Sequence, residues 1–275
     1  MSETDIELKK LNAENYSDII CCPSGLEVKG QAFKGDISKT LDWRKVMLEN
    51  GMEGLIFYQK GIPTGFVEYM PGEKVPMPIR APDQAVIMCF HWISPFDDTE
   101  KEHLDVEKFI LESAVYEIQK RFLGVTALAW DHPEHFPIKM FQEAGFEEIE
   151  SENHISLMWK SFDENAERPS MIGPKFEPGN RAKENELLVE CGYSNRCPYS
   201  IHDRKKVKSA ISRIKDDRMI LKEYRLDTRE EAKKYSRADW NWDWLYLNGE
   251  EIFHMKKTSE ELEEIFTEKL EKLKN

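Results

Sequence analysis

The spacing of apolar and polar positions changes period several times along the chain. Residues 5–11, "DIELKKL", alternate as a half-buried strand does. "DISKTLDWRKVMLENG" (36–51) has helical spacing, with Asp36 or Ser38 as N-cap and Gly51 as the stop. "EGLIFYQKGIPTGFVEYMP" (53–71) reads as two strands around the turn Lys60-Gly61-Ile62-Pro63. "QAVIMCFHWIS" (84–94) is almost continuously apolar, which predicts a strand buried on both faces at a sheet centre. Residues 99–122 predict an amphipathic helix, with Val106, Phe109, Ile110, Val115, Ile118 and Phe122 on one face. A strand over 124–130, a short helix ending at Gly145, and a strand pair or one long strand over 147–162 complete this part.

The punctuation then changes. "ENAERPSMIGPKFEPGNRAKEN" carries three prolines, two glycines and scattered charge, the composition of a linker. After it the signals run strand, helix, strand, helix, strand, strand, helix. The expected organisation is a first domain over 1–165, a linker over 166–184 and a second domain over 185–275. A chain of 275 residues fits two domains.

Composition narrows the function classes. There are 52 acids against 39 bases, a net charge of −13, which argues against nucleic-acid and anionic-membrane partners. No stretch approaches the ~20 apolar residues of a membrane span, and "MSETDIELKK" lacks the apolar core of a signal peptide. Five cysteines, with Cys21 and Cys22 adjacent, do not form the pattern of a secreted disulfide framework. A soluble cytoplasmic protein is the expectation.

"MFQEAGFEEIESENHISLMWKSF" and the exit Trp92-Ile93-Ser94-Pro95 resemble the late helix, closing strands and central-strand exit of the GNAT superfamily of N-acyltransferases. The order of elements over most of residues 1–165 fits the same family, so the fold class expected is α+β. The resemblance implies acetyl-CoA laid along a splayed central strand, with Trp92, Ile93 and Ser94 as the coenzyme-binding stretch. It also implies a small-molecule or protein amine as acceptor. The chain departs from the family at the pyrophosphate loop. No glycine lies between Gly72 and Gly124, and "WISPFDDTEKEHLDVEKF" brings six acids to the start of the long helix. Thr99 to Glu102 reads instead as a capping box that satisfies the helix end with its own side chains. Where many family members carry an acidic tyrosine, this chain has Phe141.

Cys89 and His91 share one face of the central strand, and His91 is the residue there suited to general-base work. His132, Glu134 and His135 in "DHPEHFP" include zinc-ligand types, but no fourth ligand has telling spacing, so no metal is expected. The prolines there read as a loop lining a cleft.

"LLVECGYSNRCPYS" resembles the first strand and active-site turn of glutaredoxin-like proteins in their monothiol form, and "WLYLNGEEI" a later hairpin of that thioredoxin-like α/β fold. Cys197 then falls at a helix N-terminus, where the dipole lowers a thiol pKa and the sulfur is exposed; Arg196 and Arg204 add to that field. Cys191 lies six residues upstream, Ser200 replaces a resolving cysteine, and Asp243 stands where the family has a cis-proline. The pairing of the two domains resembles the YoaP-type acetyltransferases. Two readings of function stand: an acetyl-CoA-dependent N-acyltransferase, and a non-catalytic GNAT-fold scaffold whose thioredoxin-like domain binds a protein partner or senses thiol state. An open split beside the central strand favours the first; a filled split favours the second. Trp240, Trp242, Trp244 and Tyr246 alternate and read as a packed face.

Overall fold

A computed structural model describes residues 6–20, 34–92, 100–131, 136–152, 154–172, 176–179, 185–236, 243–254 and 257–273. The chain divides into two units: residues 1–32 with 41–172, and residues 33–40 with 173–275.

The first unit is built on a seven-stranded sheet in the order β1-β2-β3-β5-β6-β8-β7. Its strands are β1 (Ile6–Lys10), β2 (Glu53–Gln59), β3 (Ile62–Pro71), β5 (Gln84–Trp92), β6 (Gly124–Trp130), β7 (Glu147–Glu152) and β8 (Ile155–Ser161). Only β5 and β6 pair in parallel. The continuously apolar strand is indeed the central one, with three strands on each side. The edges are the charged strands: β1 is IELKK and β7 is EEIESE, the composition that blunts open sheet edges against further pairing. The β2–β3 turn uses only two residues. Lys60 (φ 53°) and Gly61 (φ 80°) both take the left-handed region, as a tight primed hairpin turn requires. Ile62 already belongs to β3, opposite Gln59.

Residues 41–49 of helix α1 (Lys34–Glu49) belong to the same unit, and helices α2 (Glu100–Ile118) and α3 (Ile138–Glu143) accompany this sheet. The face of α2 expected from its spacing is the buried one, with Val106, Ile110, Val115 and Ile118 all 9% exposed or less. Residues 147–162 form a strand pair. The Thr99–Glu102 cap rests on a residue and side chains outside the described ones.

Two short strands, β4 (Ile79–Arg80) and β9 (Ser170–Met171), pair with each other. They correct the sequence reading, because β9 falls in the stretch read as linker. Gln84 also donates to the Glu167 carbonyl, and Arg80 pairs with Glu167 at 2.6 Å.

The second unit follows the expected order: β10 (Leu187–Tyr193), α4 (Pro198–Ile214), β11 (Met219–Arg225), α5 (Arg229–Tyr235), β12 (Trp244–Leu247), β13 (Glu250–Glu251) and α6 (Ser259–Lys272). The sheet order is β11-β10-β12-β13, with β10 and β11 parallel and the other pairs antiparallel. Leu187, Val189 and Cys191 of β10 pack with Val207 of α4 and with Leu262 and Phe266 of α6. An aromatic cluster of Phe176, Tyr224, Trp244 and Tyr246 forms a separate core. Trp244 and Tyr246 are therefore packed as their alternation predicts; Trp240 and Trp242 lie outside the described residues. A Cβ at Gly192 would stand 2.3 Å from the Trp244 indole, so only glycine admits that ring. T-x-x-E capping boxes at Thr228/Glu231 and Thr258/Glu261 start α5 and α6.

Candidate functional site

In the first unit the chemistry gathers where β5 leaves β6. The two strands pair from Gln84/Gly124 to Ile87/Ala127, and no pairing continues beyond. On its other side β5 stays paired with β3 as far as Trp92, but the register slips: Tyr69 faces Ile87 and Glu68 faces Cys89. Met88 is the extra residue, a bulge at the point of divergence. A bulge bends its strand and raises local twist, which accounts for a sheet that splits here.

His91 lies on β5 beyond the bulge, with its side chain 31% exposed. Its Nδ1 is 2.9 Å from Oε1 of Glu107, on the first half of α2, and Glu107 is 2% exposed. The same oxygen accepts the Trp92 backbone N–H at 3.4 Å. A carboxylate on Nδ1 fixes the ring and directs Nε2 to any proton transfer. Cys89 is likewise partly exposed while Phe90 and Trp92 are buried, as the alternation predicts. The Trp92 ring is fully buried, and its backbone N–H already has a partner. Ile93, Ser94, His132, Glu134 and His135 lie outside the described residues.

The split is filled. Phe90 lies 4.5 Å from the Phe136 ring and 5.9 Å from Phe141, and Trp130 is 5.6 Å from Phe136. The space left among these side chains is about 10 Å³, no more than one water needs. The backbone takes part too: Trp130 N–H donates to the Phe136 carbonyl at 2.9 Å. Phe136 is held at φ 47°, a region that bulky residues seldom occupy. Phe141 is wholly buried and packs edge-on against Phe146.

Beside the split, Arg44 of α1 and Glu68 of β3 form an ion pair buried to 4% and 0% exposure, with the guanidinium 5.6 Å from the Phe66 ring. Sequence reasoning missed both this pair and the role of Glu107. Glu68 had a signal, as the lone acid inside the apolar run of β3.

In the second unit Cys197 occupies the N-cap position of α4, followed by Pro198 in its first turn. Contrary to expectation the thiol is not activated. Burial pushes its pKa up, and the backbone N–H groups of Ser200 and Tyr199 pull against that without prevailing. Asp243 adds negative charge and raises it further, while Arg196 lowers it. Arg204 is engaged elsewhere, over the Tyr193 ring at 4.0 Å and with Glu223 at 2.5 Å. Cys191 is buried and its thiol is pushed up, by burial first. Cys191 and Cys197 are both free thiols. The turn before Cys197 is fixed by hydrogen bonds: Asn195 N–H and side-chain amide reach Asp227 at 2.7 and 2.6 Å, and Ser194 N–H donates to Ser200 at 3.0 Å. Ser200 thus has a structural task where a resolving thiol would stand.

No family model and no curated protein matches this chain. Among solved structures it is similar to the PaiA N-acetyltransferase of Thermoplasma acidophilum with coenzyme A (16% identity, 57% of this chain, 99% of that chain, TM-score 0.39). It is similar also to an acetyltransferase of Thermus thermophilus (10%, 57% and 97%, 0.40). A third is a GNAT-family acetyltransferase of Brucella melitensis with acetyl-CoA (9%, 60% and 94%, 0.38). Likenesses at these scores carry no argument about activity. Among the described residues no helix is long and apolar enough to cross a membrane.

Proposed function

We propose that the first unit is a GNAT-like N-acyltransferase domain that transfers acetyl from acetyl-CoA to an amine, and that residues 185–275 are a thioredoxin-like domain of the YoaP type. The observation that carries the first part is the β5–β6 split with its bulge at Met88 and the His91–Glu107 pair just beyond it. In this reading the acceptor ammonium gives a proton to His91 Nε2, with Glu107 balancing the imidazolium. The amine then forms the C–N bond as the thioester C–S bond breaks, and the nitrogen's second proton passes to solvent as the amide forms. Phe141 has no proton to give, so the leaving thiolate takes one from solvent. The stretch Trp92, Ile93 and Ser94 flanks the pantetheine arm, and Phe136 must leave the split to admit it. The strand order β11-β10-β12-β13 supports the thioredoxin-like assignment.

A second reading, a GNAT fold serving as a non-catalytic scaffold for a protein partner, has one observation behind it: the aromatic filling of the split. Calorimetric titration of acetyl-CoA, followed by thiol-release assays with polyamines, lysine peptides and free N-termini, separates the two. Micromolar binding with amine-dependent release of coenzyme A supports the transferase. No binding at millimolar coenzyme, by the intact protein and by a variant lacking the Phe136 ring, overturns it in favour of the scaffold.

A further inference from the structure

Three buried side chains of the second unit stand outside the acetyl-transfer chemistry. Asp203 lies on α4, Asp243 just before β12 and His254 after β13, at 5%, 2% and 4% exposure. One donor atom from each lies within 4.8 Å of the other two. We propose that Asp203, Asp243 and His254 bind a divalent first-row transition metal of the zinc type.

Burial alone does not explain the cluster. Oδ1 of Asp243 is buried with no hydrogen-bond partner, and a carboxylate oxygen of the same side chain lies within 4.8 Å of donor atoms of Asp203 and His254. Leaving a carboxylate oxygen out of water and unpaired is costly, and buried acids are otherwise paired or coordinate a cation. His254 has one ring nitrogen accounted for by the backbone. Its Nδ1 stands 3.4 Å from the Ile252 carbonyl, and a carbonyl only accepts, so Nδ1 carries the hydrogen and Nε2 the lone pair. Two carboxylates and one imidazole suit zinc, cobalt, manganese or iron; an all-oxygen set would suit calcium or magnesium. Donor atoms on tetrahedral zinc stand about 3.3 Å apart for bonds of about 2.0 Å. The separations of up to 4.8 Å exceed this by no more than about 1.5 Å, the distance by which the donors would have to close on a bound ion.

Access and charge agree. Asp243 and His254 both line a cavity of about 190 Å³, which supplies an entry path and room for a water or exogenous donor in an open position. Lys206 stands 2.5 Å from Asp203 and is the competing cation. Arg196 and Cys197 also fall within electrostatic range, of Asp243 and from it respectively. The alternative occupant is a proton shared between the two carboxylates. The acetyl-transfer reading plays no part in this site, so either stands or falls without the other.

The test is zinc and cobalt binding to the full chain after removal of metal by EDTA. The expected result is one site per chain, at about 10 μM or tighter, with cobalt spectra typical of oxygen and nitrogen ligands. Asp243→Asn and His254→Gln should each weaken it by about 10–100-fold. Lys206→Met should strengthen it, an effect that a shared proton or a purely structural cluster would not produce. If Asp243→Asn fails to fold, His254→Gln and Lys206→Met carry the test. No binding at 100-fold higher zinc, about 1 mM, overturns the proposal. Binding that neither ligand variant changes overturns it too, and assigns the metal to the thiols.

Discussion

Replacing Phe136 by glycine separates the cost of the aromatic filling from its function. The ring is 7% exposed and contacts Phe90 and Trp130, so its loss removes a core aromatic, a change that typically costs about 3–5 kcal/mol. Glycine returns part of this. At φ 47° an L side chain carries a penalty of about 1–2 kcal/mol that glycine does not. The net loss should be about 2–3 kcal/mol, or roughly 5–10 °C in melting temperature for a unit of this size. The same energy sets the expected effect on coenzyme. If pantetheine must displace the ring, the native protein spends about 2–3 kcal/mol of binding energy on that displacement, and the glycine variant does not. Acetyl-CoA should then bind the variant about 30–150-fold more tightly, because each 1.4 kcal/mol is a factor of ten. Thermal melting and calorimetry on the same preparations measure both numbers. A variant that melts lower as expected yet binds coenzyme no better than threefold tighter would refute the reasoning: the ring would then be core and nothing else.

Other expected outcomes are simpler. Glu68→Ala should cost about 3–5 kcal/mol in chemical denaturation, because it strands the Arg44 charge; joint replacement of Arg44 and Glu68 by methionine should recover most of that. Glu107→Gln should leave the fold intact and lower kcat about 10–100-fold with KM for acetyl-CoA unchanged, the pattern of a lost positioning group; an unchanged kcat would remove His91 from the mechanism. Iodoacetamide at neutral pH should modify Cys191 and Cys197 more slowly than a free thiol, with urea restoring the rate, since burial raises both pKa values. Gly192→Ala should destabilise by about 1–3 kcal/mol through the clash with the Trp244 indole, read by the same denaturation assay.

What the sequence made legible was set by the range over which each feature is encoded. The central place of β5 could be read because burial on both faces leaves a local mark, an unbroken apolar run. The βαβαββα order of the second unit was legible for the same reason. Cys197 misled because only half its environment is local. The helix terminus is visible in "CPYS", but the desolvation that outweighs it comes from packing, and the charge of Asp243 comes from 46 residues further on. Asp203, Asp243 and His254 gave no spacing signal at all, since a helix, a strand entry and a hairpin exit bring them together.

The split combines both ranges, and that bears on how its chemistry should be sought. The end of pairing after Ile87 and the bulge at Met88 follow from partners on β3 and β6, so no window of the β5 sequence reveals them. The sequence reading dwelt on the histidines and glutamate of "DHPEHFP", which lie outside the described residues, and passed over Phe136. Phe136 is held at positive φ, 47°. A bulky residue held at positive φ persists only where surrounding packing over-determines it. Here that packing is Phe90 and Trp130, one from each diverging strand. The ring therefore bridges the two diverging strands, and in the transferase reading coenzyme entry and ring burial would be alternatives for the same space. Any account of this unit as a transferase must therefore begin with the energy that holds Phe136 in place.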